Sequence, residues 1–525
     1  MGEKMRRKIK FILILISIEL IIIGLFSMKL YALNLNDCIQ EKTNISDDEF
    51  IIKNGELKKY IGENKIVLIP NNVYEIGNHA FFHNDNIEKV IMPSSVKSVK
   101  EAAFSECKNL KEVYIDYGLE ILEKEVFLKC TSLMTIDIPD SVKYIGPLCF
   151  AQCDNLEQIN LPHDINSIEE YTFAYCFALK NIIIPDNVEF IKEGAFIGCY
   201  KLERLIIPPK VNFIGKSAFS GCYNIKRLII PNTLFQIESE VFSSCVNLTE
   251  VIIQEGITSL PDGIFSYCYK LKTIDIPDSV KYIGKGAFSS CKELQRIILT
   301  SNIKVIEDNL FKGCVKLTDI KLSENIEEIK ESAFEGCSSL TNISIPQQVV
   351  KINKNSFKDC TELEAIELPP NIMILEEGLF EGCSKLSKVY IPKCISVIER
   401  NAFKNCVNLR ELNLPEFLIE IGDNAFSGCK SLESINLPQE INSIREGTFK
   451  NCRNLKKVQL PKTLCHIEQL SFGGCISLEE IYIPESVEHI EENAFVSCPK
   501  LTIYGVRYSY SQQYAVKNGI PFLGI

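Results

Sequence analysis

The chain has 525 residues, of which 46% are hydrophobic, with 22 cysteines, no tryptophan and a formal net charge of −11. Its basic residues form no stripe that would follow a phosphate backbone, so the composition argues against a nucleic-acid partner. A chain of this length usually has several domains, but an internal repeat indicates a single elongated one.

The first 32 residues have the pattern of an export signal. Five basic residues between Lys4 and Lys10 precede an apolar stretch from Phe11 to Phe26, and residues 30–32 are an acceptable cleavage site. The apolar stretch is also long enough to remain as an anchor. We therefore predict that residues 1–32 are a signal peptide or an N-terminal membrane anchor. The protein is expected to be secreted or held at the cell surface, with membrane contact only through this segment if it is not cleaved.

From residue 66 to residue 507 the chain repeats a unit of 23 residues. Eighteen cysteines recur at this interval without insertion or deletion, and a phenylalanine precedes each of them by three residues. These cysteines are Cys107, Cys130, Cys153, Cys176, Cys199, Cys222, Cys245, Cys268, Cys291, Cys314, Cys337, Cys360, Cys383, Cys406, Cys429, Cys452, Cys475 and Cys498. One further unit upstream has Phe81 and carries Asn84 in the place of cysteine. Nineteen units with a fixed period predict a solenoid.

Each unit contains two short apolar segments. In one unit, Leu205 and Ile207 alternate as in a strand, and a proline follows where the strand should end. Val211 and Ile214 predict a second short strand on another side of the coil, and residues 194–196 predict a short helical turn. Because one unit cannot bury its apolar face alone, neighbouring units must stack.

Both ends of such a stack need closing segments. We predict that residues 33–65 form an N-terminal cap. Residues 508–525 depart from the repeat and predict a C-terminal cap, with a helix in SYSQQYAVKNG and a last strand in IPFLGI.

The repeated pattern resembles the BspA-type leucine-rich repeat family. The resemblance rests on AFxxCxxLxxIxIPxxVxxIG, as in residues 425–444, and on the ending YSQQYAVKNGIPF. It implies an α/β-type solenoid, a right-handed superhelix of stacked short parallel strands with 19 repeats of 23 residues. It also implies a secreted or surface-exposed protein that adheres to protein ligands on a host or neighbouring cell.

The cysteines allow two interpretations. An exported protein with many cysteines usually has a disulfide framework. Here each recurring thiol lies between Phe and Leu on the buried face, and each would have two equivalent neighbours, so no pairing is specified. We therefore predict a column of reduced thiols that fill space in the core.

The sequence offers little catalytic chemistry. His79 and His83 are four residues apart, but two ligands without a third do not define a metal site. No nucleophile triad, phosphate-binding loop or calcium loop is visible. We predict a non-enzymatic protein without a cofactor.

Outward positions should carry any specificity, because the inward ones are fixed by stacking. The residue between the two inward strand residues is Ile in four consecutive units, and the residue after the cysteine is mostly aromatic in the same stretch. Exposed apolar patches of this kind often mark partner sites. The predicted partner-binding residues are Phe177, Ile183, Tyr200, Arg204, Ile206, Tyr223, Arg227, Ile229, Ile252, Tyr269 and Ile298.

Selection for partner binding is not the only explanation of this apolar zone. Recent duplication of one unit would copy these residues without selection for binding, and the zone would also suit self-association. A carbohydrate or cell-wall ligand is the alternative partner class, with Tyr114, Tyr390 and Tyr482 as stacking residues, although these are scattered and the chain has no tryptophan.

Overall fold

The computed structural model describes residues 47–525, so the predicted signal or anchor lies outside the described residues. The described chain winds into a solenoid of stacked coils whose strands pair almost entirely in parallel. The fold predicted from the repeat is therefore confirmed. Two ladders of short strands run along the stack, and a column of turns forms the remaining side.

The first ladder contains the strands that follow the repeated cysteine, and their inward residues alternate with outward ones. Its strands are Ile66–Leu68, Lys89–Met92, Glu112–Ile115, Thr135–Asp137, Gln158–Asn160, Asn181–Ile182, Arg227–Ile230, Glu250–Ile253, Thr273–Asp275, Arg296–Ile298, Asp319–Lys321, Ala365–Glu367, Lys388–Tyr390, Ser434–Asn436, Lys457–Gln459, Glu480–Tyr482, Thr502–Gly505 and Phe522–Gly524. Residues 203–208, 341–346 and 410–414 follow the same path without regular strand structure. Nothing in the structure explains these three interruptions.

The second ladder is more regular, with nineteen two-residue strands between residues 75 and 490. Each strand contributes one residue to the core, as Ile214 does, and Val211 of the same unit is also buried, as predicted. The strands are Glu75–Ile76, Ser98–Val99, Ile121–Leu122, Tyr144–Ile145, Ser167–Ile168, Phe190–Ile191, Phe213–Ile214, Gln236–Ile237, Ser259–Leu260, Tyr282–Ile283, Val305–Ile306, Glu328–Ile329, Lys351–Ile352, Ile374–Leu375, Val397–Ile398, Glu420–Ile421, Ser443–Ile444, His466–Ile467 and His489–Ile490.

The repeated phenylalanines stack into one column through the core. Adjacent rings from Phe81 to Phe495 are nearly parallel; their centroids lie 4.6 Å apart at the closest pair and 6.1 Å at the widest. Tyr60 continues the column at one end, where its ring stacks on Phe81. At the other end Tyr514 meets Phe495 edge-on. Aromatic side chains from both terminal segments therefore cover the ends of the column.

The terminal segments differ from the coils. A 3₁₀ helix at Asp47–Glu49 leads into an antiparallel hairpin of Phe50–Lys53 and Glu56–Tyr60, which joins the start of the second ladder. The predicted C-terminal helix is present at Tyr510–Lys517, and the predicted strand Phe522–Gly524 pairs with Thr502–Gly505 as the last strand of the first ladder.

The predicted helical turn at residues 194–196 is wrong. The segment around each phenylalanine consists of successive turns in which alternate N–H groups donate to the next coil, as Phe196 N–H does to the carbonyl of Ala218. The residues two before and two after the phenylalanine have positive φ in nearly every coil, for example Gly194 at 57° and Gly198 at 72°. A right-handed helix cannot contain such alternation. Within the described residues, Tyr510–Lys517 is the one α-helix.

The left-handed backbone at these positions predicts a stabilising substitution. Glu240 is exposed and has φ of 60°, a conformation that costs a residue with a Cβ about 1 kcal/mol. Glu240→Gly should therefore raise the free energy of unfolding by about that amount. Gln236→Gly, at an exposed strand position, should instead lower it by about 0.5–1 kcal/mol. Urea unfolding followed by circular dichroism would test the pair, and a loss of stability in Glu240→Gly would contradict the assignment.

The repeated cysteines form a second buried column beside the phenylalanines. All eighteen are free thiols, and all except half-buried Cys498 are fully buried. Each Sγ donates to the carbonyl oxygen of the phenylalanine 26 residues earlier, as Cys107 does to Phe81 at 3.1 Å. Burial raises the pKa of the Cys245 thiol to about 12. The thiols therefore fill space and supply weak donors to carbonyls inside the core.

Candidate recognition surface

The aromatic residues after three consecutive cysteines form an exposed stack. The rings of Phe177 and Tyr200 lie 4.8 Å apart, and those of Tyr200 and Tyr223 lie 4.5 Å apart with an angle of 3° between their planes. Tyr200 and Tyr223 are each more than one-third exposed. Burial raises the pKa of Tyr200, and its contact with Tyr223 raises it further. Stacked in this way, the rings cover each other's faces.

Tyr175 extends this group, although the sequence analysis did not predict it as a binding residue. Its ring meets Phe177 at 6.3 Å and lies against Gly198 of the next coil, where an added Cβ would come within 2.6 Å of Tyr175 Cδ1. Tyr175 occupies one of the positive-φ positions, where most other coils have Gly, Asn or Ser. The sequence signal that could have identified Tyr175 is a large residue at a turn position, followed one unit later by a glycine.

The predicted isoleucines are only partly contiguous. Ile183 and Ile206 are 50% and 41% exposed. Ile229 and Ile252 are half-buried and lie side by side on neighbouring parallel strands. Ile206 lies in a coil without regular strand structure. Ile298 is exposed, but Asp275 lies between it and Ile252 in the ladder.

Tyr269 belongs to a separate aromatic pair. Val246 occupies the intervening coil, and Tyr269 instead contacts Tyr267 edge-on at 6.4 Å. Lys292 Nζ lies 4.4 Å from the centre of the Tyr269 ring, within cation–π distance. Tyr267 is 47% exposed and is a second aromatic residue that the sequence did not single out.

The predicted arginines are exposed beside these apolar residues. Arg227 Nε lies 2.7 Å from Glu250 Oε2, an exposed ion pair across two coils. Arg204 is exposed one coil earlier, at the same position relative to the cysteine. We use the name recognition surface for the eleven predicted residues together with Tyr175 and Tyr267.

Three further features bear on chemistry. Residues 47–525 contain no group of three or more His, Cys, Asp or Glu side chains placed to hold a metal ion. His79 and His83 lie on turns with positive φ rather than on a helix. In the same part of the chain no helix is long and apolar enough to span a bilayer.

The family is decided by the extent of the repeat match. The protein-family model described as BspA type leucine rich repeat region (6 copies) matches residues 51–180, 166–295, 258–387 and 374–502. The chain belongs to the BspA-type leucine-rich repeat family. The recognition surface therefore lies on successive BspA-type repeats, at positions that the core of the repeat does not fix.

Solved leucine-rich repeat proteins are similar to this BspA-type chain. One from Bacteroides ovatus is 24% identical, with 76% of this chain and 93% of that chain covered and a TM-score of 0.47. A leucine rich cell surface protein from Faecalibacterium prausnitzii is 25% identical, with 67% and 95% covered and a TM-score of 0.42. A comparison with curated proteins gives no match.

Proposed function

We propose that this BspA-type protein is exported, lacks enzymatic activity and recognises other proteins at a cell surface. The observation that carries the proposal is the recognition surface, where an exposed aromatic stack lies on the same consecutive coils as outward isoleucines. Large exposed apolar patches are uncommon on soluble proteins and often mark interfaces. Tyrosine and arginine, both present here, are enriched among the residues that contribute most to binding.

Export is supported by the sequence of residues 1–32, where a basic segment precedes an apolar stretch. Display at a cell surface follows if this segment stays as an anchor, and secretion follows if it is cleaved. In either case the solenoid would meet ligands outside the cell, on a host or a neighbouring cell. Adhesion is the role we assign to it.

A carbohydrate ligand fits this surface less well. Sugars bind to aromatic residues through the open ring face, but Phe177, Tyr200 and Tyr223 cover each other's faces. Isoleucine side chains also offer a sugar no hydrogen bond. The exposed Tyr390 and Tyr482 lie four coils apart and are the remaining candidates for such a ligand.

The proposal is tested by direct binding of the purified protein to a panel of matrix proteins, mucosal proteins and polysaccharides. Ile206→Ser/Ile229→Ser removes apolar contact without adding charge, and should weaken a protein interaction at least about tenfold. Ile419→Ser/Ile476→Ser changes two isoleucines that are exposed elsewhere and should leave binding unchanged.

The same experiment separates protein binding from a carbohydrate ligand, from self-association and from duplication without function. Polysaccharide binding that survives the Ile206→Ser/Ile229→Ser change would favour a carbohydrate ligand. Self-association that the same change abolishes, measured by sedimentation, would make the surface a contact between copies. If that variant binds every ligand like the parent protein, the isoleucine run is a product of duplication alone.

A further inference from the structure

The recognition surface is locally basic on an acidic protein. In each unit the outward segment runs from the residue after the cysteine to the outward isoleucine position. In the six units of the surface these segments are 177–183, 200–206, 223–229, 246–252, 269–275 and 292–298. They contain nine basic and four acidic residues, whereas the same segments of the other thirteen units contain thirteen basic and fourteen acidic residues. The chain as a whole has a net charge of −11.

Part of this excess is neutralised, because Lys180, Arg227 and Arg296 each form an ion pair, but several lysines are not paired. Lys201, Lys226, Lys270 and Lys272 are all exposed, and none forms an ion pair with a described residue. This contrasts with the remainder of the surface of the solenoid, where lysines commonly bridge to a carboxylate one coil away. Lys65 and Lys111, for example, both contact Glu88.

Cationic and apolar side chains alternate on this surface. Along the strand Arg227–Ile230, the outward residues are Arg227 and Ile229. On the coil before it, Arg204 and Ile206 hold the same positions. The exposed Lys226 and Lys201 lie on the same two outward segments, so a ligand that covers the isoleucines meets these lysines as well.

We propose that the partner is a protein whose contact surface combines carboxylates with apolar side chains. This inference rests on the proposed function and names the chemistry of its ligand. An anionic polysaccharide would satisfy the cations but offers little to cover the isoleucines, and a neutral sugar satisfies neither. An acidic protein surface with apolar anchors satisfies both.

The expected signature is a rate of association that depends on salt. Charges that are not paired within the molecule steer an oppositely charged partner over about 10 Å at 0.1 M salt, and this range shrinks to about 3 Å at 1 M. Removing such charges mainly slows association, whereas removing apolar anchors mainly speeds dissociation.

The test uses defined polymers as probes. The purified protein would be measured by biolayer interferometry against a glutamate–tyrosine copolymer, polyglutamate and heparin. The charge variant is Lys201→Gln/Lys226→Gln/Lys270→Gln. Its matched control is Lys321→Gln/Lys388→Gln/Lys456→Gln, three exposed lysines of equivalent segments that also lack an ion pair with a described residue.

We expect the copolymer to bind more tightly than polyglutamate or heparin. The charge variant should slow its association about tenfold at about 50 mM salt, and the difference should vanish near 500 mM. The control should behave like the parent protein, and Ile206→Ser/Ile229→Ser should increase the dissociation rate. Circular dichroism would verify that each variant keeps its fold.

Three results would overturn the inference: no binding of the copolymer, equal association rates for the charge variant and the control, or heparin binding that equals copolymer binding and survives the isoleucine change. A protein from the panel that needs Ile206 and Ile229 but is insensitive to salt would leave the proposed function standing and reject only the acidic partner.

Discussion

Phe288→Ala is expected to destabilise the centre of the solenoid by about 3–5 kcal/mol, the usual cost of truncating a buried phenylalanine. Phe288 is fully buried, and its ring lies 5.9 Å from both Phe265 and Phe311. Removing it leaves a cavity lined by the two neighbouring rings. Because each coil contacts mainly the coils beside it, the loss of stability should be confined to the coils around Phe288.

Hydrogen exchange and urea unfolding would measure the two parts of this expectation. Protection should fall in the coils that contain Phe265, Phe288 and Phe311 and stay unchanged near Phe104. Phe235→Ala is the matched control, because that ring is 91% exposed and makes no ring contact with the column. A Phe288→Ala protein as stable as the Phe235→Ala protein would refute the continuous aromatic core.

The repeat made the core predictable, because identical units can bury their apolar face only against each other. Phenylalanine three residues before cysteine translated directly into the stacked column. The turn chemistry was harder to predict. Gly194 and Gly198, like Asn401 and Asn405, indicate left-handed backbone, but other coils place Lys, Glu or Leu at the same positions. Stacking imposes the conformation there against local preference.

The same cause limited prediction of the recognition surface. Tyr175 and Tyr267 stand at left-handed turn positions, where a residue is expected to be chosen for its backbone conformation, yet their rings are exposed and available for contact. The separation of Tyr269 from the Phe177–Tyr200–Tyr223 stack depends on a single valine, Val246. The sequence located the zone, but it did not reveal which rings touch. That needed the spacing of the coils and the orientation of the rings.

The buried thiols lead to the second large expectation, a steep loss of stability in alkali. Eighteen of the cysteines in residues 47–525 are buried, and burial raises the pKa of several of these thiols, including Cys176, Cys245 and Cys314, from an ordinary value of 9.0 to about 12. Once unfolded, each thiol ionises near its ordinary pKa. The folded state therefore keeps protons that the unfolded state releases.

The sign of the effect follows from this difference. Below about pH 8 both states hold the proton and stability does not depend on these groups. Between about pH 9 and pH 12 the unfolded state binds fewer protons, so the free energy of unfolding falls by about 1.4 kcal/mol per pH unit for every such thiol exposed. When several coils unfold together, the pH dependences that their thiols contribute to the free energy of unfolding add up. The urea midpoint, measured in a reducing agent, should thus drop sharply between about pH 8.5 and pH 10.

Substitution separates the thiols from other groups that titrate in alkali. Cys245→Ser/Cys268→Ser removes two buried thiols and should make the pH slope shallower, by an amount that approaches about 2.7 kcal/mol per unit near pH 10, whatever it does to stability at neutral pH. Cys394→Ser changes an exposed thiol and should leave the slope as it was. Tyrosines ionise near pH 10 as well, but all three proteins have the same tyrosines, so their contribution cancels when the slopes are compared. A slope that is the same in all three proteins would mean that the thiol column is not linked to folding, and an alkaline midpoint that does not move would mean that the thiols are not buried in solution.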